Sequence, residues 1–166
     1  MNPVNEMHAG VITYFAAEKR ESALFLAAGL IAIAVSLVLW RGGGPYRAMS
    51  FPLAAVALIQ LVVGGTVYLR TDKQTQELHA RLARDPGDFV RLEVPRMEKV
   101  LRSFQIYKVI EIVLLAAGLV GIVHGSRPTV YAVSLGLAIQ AGLMLVFDLF
   151  AERRGKAYLE KVRQVV

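Results

Sequence analysis

Four long apolar runs decide what this chain can become. They are Ser22–Trp40, Met49–Leu69, Phe104–His124 and Thr129–Phe150, each 19–22 residues long. At a helical rise of 1.5 Å per residue, each run matches the roughly 30 Å hydrocarbon core of a bilayer. A helix pairs its backbone N–H and C=O groups within itself, so it is the one form in which such a segment crosses lipid alone. Burying four runs of this kind in water would need a core larger than a chain of 166 residues can enclose. A hydrophobic fraction of 55% and a mean hydropathy of +0.49 agree. The expected fold is an all-α, four-transmembrane-helix bundle forming a single membrane domain over 1–166.

The breaks between runs set the connectivity. Arg41-Gly42-Gly43-Gly44-Pro45 ends the first run, and Gly125-Ser126-Arg127-Pro128 separates the third from the fourth. Both links are short, which predicts two antiparallel hairpins. The hydrophilic stretch 70–103 joins them and reads as a helical hairpin turning at Asp85-Pro86-Gly87-Asp88. Its second helix runs on into the third span, with a kink or fresh start expected at Pro95. The tail, 151–166, reads as helical with an interruption at Gly155. Residues 4–20 place Val4, Met7, Val11, Tyr14 and Phe15 on one face. That pattern fits an amphipathic helix in the headgroup plane or an extension of the first span.

Charge gives the orientation. Sixteen of the 19 Lys and Arg residues lie before the first run, between Arg70 and Lys108 or in the tail; the two short links hold only Arg41, Arg47 and Arg127. The positive-inside rule then places both termini and the central stretch in the cytoplasm. The first run is too long, and its Leu-Trp-Arg ending wrong, for a cleaved signal peptide. A multi-pass protein of a bacterial inner membrane is expected. The formal charge of +6 lies beside the apolar runs, so anionic lipid headgroups rather than nucleic acid are the expected counterpart.

Several chemistries are excluded. With no cysteine, thiol catalysis, disulfides and cysteine metal sites are absent. His8, His79 and His124 fall in different segments, with His124 on the opposite side, so haem ligation by facing histidines is not expected. No zincin, nucleophile-elbow or phosphate-loop pattern occurs, and Gly42-Gly43-Gly44 lacks the Lys-Ser/Thr a phosphate loop needs. The uncharged first run departs from small multidrug transporters, which carry a carboxylate there. The residues carry no recognisable family motif, and no cofactor is evident.

Charged groups near the span ends form the candidate site. Glu111 lies roughly 20 Å from the outer boundary and about 10 Å inside the other. Lys108 precedes it by one turn on the same face, which predicts a local ion pair. Asp148 and Glu152 approach the same boundary on the fourth run, Glu21 on the first and Arg70 on the second. Convergence of Glu21, Arg70, Glu111 and Asp148 would make a wet pocket suited to a cation, a proton or a headgroup. Gln60 and Gln140 fall near mid-membrane and are expected to act as packing residues, meeting within one bundle or across an oligomer.

Three functions follow. The first is a non-enzymatic integral membrane protein: a subunit, scaffold or lipid- or ligand-binding protein with a basic cytoplasmic face, in a homo-oligomer or larger membrane complex. The second is a small oligomeric cation or proton transporter or channel component using these carboxylates. The third is an enzyme acting on a lipid through Mg²⁺, Ca²⁺ or Mn²⁺ held by Glu18, Glu21, Glu111, Asp148 and Glu152. The absence of any nucleophile motif favours the first.

Overall fold

The computed structural model describes residues 3–165, so Val166 of the expected tail lies outside the described residues. Four long helices account for nearly all of it: α1 (Pro3–Gly42), α2 (Ser50–Arg84), α3 (Pro86–His124) and α4 (Pro128–Arg163). All four are long and apolar enough to cross a membrane. Helix α1 lies along α2, and α3 along α4. The two interhelical links after α1 and α3 define a loop end; the α2–α3 junction defines a turn end.

Local chemistry sets each boundary. Gly43 and Gly44 take positive φ (66° and 75°), a region costly to residues with a Cβ. A 3₁₀ turn at Arg47–Met49 then delivers the chain into α2. At the turn end Asp85 alone separates α2 from α3. Its carboxylate accepts from the Asp88 N–H at 3.1 Å, and Pro86 occupies the first turn, where no N–H is needed. Asp85 is extended (φ −152°, ψ 98°), as the residue before proline prefers.

One expectation changes, the interruption at Gly155, and two pairs of alternatives narrow. Helix α3 passes through Pro95 without a fresh start, and α4 through Gly155 without interruption. Gly155 is buried there, where a Cβ would come within 3.1 Å of Leu101. Residues 4–20 are the first part of α1 rather than a separate helix. Their apolar face is covered by protein: Met7, Val11, Tyr14 and Phe15 pack with Leu78 and Leu82 of α2, Phe89 and Met97 of α3, and Tyr158, Leu159 and Val162 of α4.

Along its length the bundle changes what it buries. Towards the turn end the interior is that eleven-residue cluster of large apolar side chains. Burying each stabilises by about 1.5–3 kcal/mol, the ordinary driving force for packing in water. Within the apolar runs the arrangement inverts. Val38, Val62, Leu69, Val113 and Val123 face outward, while Ala32, Ala57, Ala132, Ala138, Gln60 and Gln140 are buried. Lipid offers no hydrophobic drive to associate, so helices there meet through small residues that let backbones approach. A Cβ on Gly118 would sit 2.9 Å from both the Ala138 Cβ and the Ser134 carbonyl, and one on Gly64 3.3 Å from the Ser22 carbonyl.

Candidate functional site

The level at which the apolar runs give way to the turn-end extension collects the buried charge. Glu111 leaves α3 toward α4 and is 3% exposed. Neither of its carboxyl oxygens meets a hydrogen-bond donor. The group facing it is the Asp148 carboxyl of α4, within hydrogen-bonding reach. One turn further along α4, Glu152 is buried and ion-paired with Lys108 of α3 and, at 2.9 Å, with Lys156. Those two ammonium groups hold the Glu152 carboxyl below its usual range.

The expected ion pair between Lys108 and Glu111 is therefore not formed. Side chains on α3 tilt toward its N-terminus, which is the turn end. The long lysine stem follows that tilt out of the apolar zone and crosses to Glu152. Glu111 is left deeper, with a second carboxyl as its neighbour.

The other expected members are held elsewhere. Glu21 of α1 pairs with Arg154 of α4. Arg70 is exposed and acts on Glu18 rather than on the α3–α4 seam. Burial pushes the Glu18 carboxyl above its usual range, against the pull of Arg70, Arg96 and Arg154. Of the four groups expected to converge, the contacts join only Glu111 and Asp148.

Gln60 and Gln140 are both fully buried but do not bond to each other. The Gln140 amide donates to the Leu53 carbonyl of α2 at 3.4 Å. Gln60 packs beside Gly29, its amide without a partner.

Two groupings escaped sequence reasoning. Glu93 of α3, 2% exposed, accepts two hydrogen bonds from Arg96 (2.6 and 2.5 Å) and one from the Tyr158 hydroxyl of α4 (3.0 Å). Tyr14 of α1 stacks on Tyr158 with centroids 4.2 Å apart. Burial pushes both phenols well above their usual range. The Glu93–Arg96 spacing was visible in sequence, but Asp88–Arg91 has the same spacing on an exposed face. Spacing alone does not separate them.

The second grouping is His8 with His79, whose Nδ1 atoms approach to 2.7 Å across α1 and α2. Their ring planes differ by 5° and their centroids are 5.0 Å apart. With the nitrogens nearly in contact, that separation means the rings lie edge to edge in almost one plane. One Nδ1–H therefore donates along the line to the other's lone pair.

Chemically, the seam offers two carboxyls and no nucleophile. Among the described residues no three His, Cys, Asp or Glu side chains gather as a metal ion would require. Mg²⁺ and Ca²⁺ take six or more oxygens, and only two carboxylates converge here. The arrangement suits a single small positive charge. Fold and seam together define a bundle of four membrane-length helices with a polar helical extension. No family model, curated protein or solved structure matches the chain.

Proposed function

We propose that this protein is a non-enzymatic integral membrane subunit that binds one small positive charge, a proton or a monovalent cation, between Glu111 and Asp148. One observation carries the reading: Glu111 is buried with no donor on either oxygen, and the group facing it is a second, half-buried carboxyl, Asp148. Carboxyls so placed need a shared proton or a cation between them, and ionisable groups at this depth are retained for function. The Lys108–Glu152–Lys156 cluster stands between the pair and the turn end, screening the entrance from that side.

Binding is favoured over transport. From Glu111 toward the loop end the interior holds Ala, Gly, Ser, Leu53 and the two glutamines, and no charged side chain until the arginines of the links. An ion would find no relay in that half. The lipid-enzyme reading has less support, because its five acids do not gather: Glu18 faces arginines, Glu21 pairs with Arg154, Glu111 and Asp148 face each other, and Glu152 is held by two lysines.

We assign the turn end to the cytoplasm of a bacterial inner membrane on the strength of the Lys and Arg asymmetry. The cysteine-free chain makes this directly measurable. A cysteine at Ser126 is expected to react with an impermeant thiol reagent added outside whole cells, and one at Gln164 only after lysis.

The binding test uses the full chain in nanodiscs. The infrared carbonyl band of a protonated carboxyl is expected in the wild type and is lost in Glu111→Gln. Where a cation replaces the proton, sodium or potassium removes the band and raises the thermal midpoint, and Asp148→Asn abolishes that response. Wild-type spectra and midpoints indistinguishable from those of both variants overturn the proposal.

A further inference from the structure

At the loop end the protein carries positive charge without negative. No Asp or Glu occurs between Glu21 and Asp72, or between Glu111 and Asp148. Those two intervals contain both links and their arginines, Arg41, Arg47 and Arg127. None of the three makes an ion pair among the described residues. At the other end acids stand among the cations, and several are paired: Lys19 with Asp72, Arg96 with Glu93, Lys108 with Glu152, Arg154 with Glu21 and Arg163 with Glu98. Any anion that meets the three loop-end arginines has to come from outside these segments of the chain.

The place for it is built. Two adjoining clefts, which share Pro45 and Pro128, lie between the α1–α2 link and the α3–α4 link. One, of about 300 Å³, is walled by Tyr46, Ser126, Arg127 and Tyr131. The other, of about 450 Å³, is walled by Trp40, Arg47, Phe51 and Thr129. Arg47 is held in position. Its guanidinium lies 4.3 Å over the Trp40 ring, which meets Phe51 edge-on at 5.3 Å. Its backbone carbonyl accepts the Ser50 hydroxyl at 2.7 Å, and the Ser36 hydroxyl ties the Ser50 carbonyl to α1 at 2.8 Å. A guanidinium stacked on an aromatic face keeps its N–H edges free for an anion.

We propose that these clefts bind the phosphodiester of an anionic phospholipid, with Arg47 and Arg127 as its ligands. Depth selects the lipid. The clefts lie just beyond the ends of the apolar runs, at the level of the headgroups. Arginine matches phosphate with two parallel hydrogen bonds, and Ser126 and Thr129 add hydroxyls beside it. Trp40, Phe51 and Tyr131 offer apolar bodies for the glycerol and first acyl carbons, as aromatic residues do at membrane interfaces. This site is independent of the Glu111–Asp148 pair, near the opposite end of the spans.

Native mass spectrometry of the detergent-solubilised full chain tests it, titrating phosphatidylglycerol, phosphatidylcholine and inorganic phosphate separately. Phosphatidylglycerol is expected to be retained over phosphatidylcholine. The preference is expected to fall about tenfold in Arg47→Ala or Arg127→Ala, the weight of one charge-assisted contact, and to vanish in the double variant. Arg47→Lys with Arg127→Lys keeps charge but loses the fork, and an intermediate preference is expected. Lys99→Ala with Arg102→Ala, exposed at the other end of α3, is the control and leaves the preference unchanged. Equal retention of the two lipids, or an equal loss in the control, overturns the proposal. Saturable inorganic phosphate binding without a lipid preference overturns the lipid assignment and makes the site one for free anions. Circular dichroism of each variant separates loss of the ligand from loss of the fold.

Discussion

Replacing Arg96 with leucine strands the Glu93 carboxylate in the interior of the turn-end extension. Glu93 is 2% exposed and receives two of its three hydrogen bonds from Arg96. Removing one partner of a buried pair costs about 3–5 kcal/mol, because the remaining charge keeps its desolvation penalty without its compensation. Glu93→Leu is the milder half. It strands Arg96, whose side chain is 29% exposed and so retains some water, placing the cost near the lower limit of about 3 kcal/mol. Tyr158→Phe removes a single hydrogen bond to a charged group, about 1.5 kcal/mol. The expected order of destabilisation is Arg96→Leu, then Glu93→Leu, then Tyr158→Phe. The double replacement Glu93→Leu with Arg96→Leu removes both charges and is expected to be less harmful than Arg96→Leu alone. Reversible urea unfolding of the chain in micelles, followed by hydrogen exchange over residues 86–103 and 151–163, gives each value. Arg96→Leu no more harmful than Tyr158→Phe would refute the reasoning, since it would mean the Glu93 carboxylate is adequately solvated without its arginine.

Three further outcomes follow from the same structure. Burial and the neighbouring His8 hold the His79 imidazole below its ordinary 6.5. The unfolded chain then binds more protons, so this pair stabilises fully above about pH 6.5 and loses its contribution as pH falls below that value; His79→Gln is expected to flatten this part of the stability profile. Glu152 has a depressed pKa, so its contribution is present above 4.5 and lost as pH falls further. Lys108→Met is expected to weaken that acid transition in thermal melts, with Lys156 retaining the remainder. Gly118→Val drives a side chain into the Ala138 Cβ and the Ser134 backbone, and is expected to cost about 1–3 kcal/mol in the same unfolding assay, partly recovered by Ala138→Gly.

The four membrane-length helices were legible because hydropathy is additive along the chain and needs no knowledge of neighbours. The runs 22–40, 49–69, 104–124 and 129–150 all lie within the four helices, apart from Met49 at the end of the preceding 3₁₀ turn. The links were legible for a similar reason: glycine runs and X-Pro steps constrain the backbone locally, as Gly43, Gly44 and Asp85-Pro86 do. Sequence also marked Glu111 and Asp148 as out of place, since depth follows from counting residues.

Only the tertiary structure decided which residues meet. Contact between helices depends on the rotation of each about its axis and on its slide along its neighbour, and both are set by packing across the whole interface. At one level of α4, Glu152 faces Lys108 of α3 while Arg154 faces Glu21 of α1. Lys108, with its long flexible stem, could reach either Glu111 or Glu152; the α3–α4 seam chose Glu152. His8 and His79 stand 71 positions apart and touch because α1 and α2 both continue beyond the apolar zone in register. The sequence determined how many helices are long and apolar enough to cross a membrane and where each turns polar, because those follow from the solvent each residue prefers. Packing determined which charges neutralise one another, because that depends on angles no single helix contains.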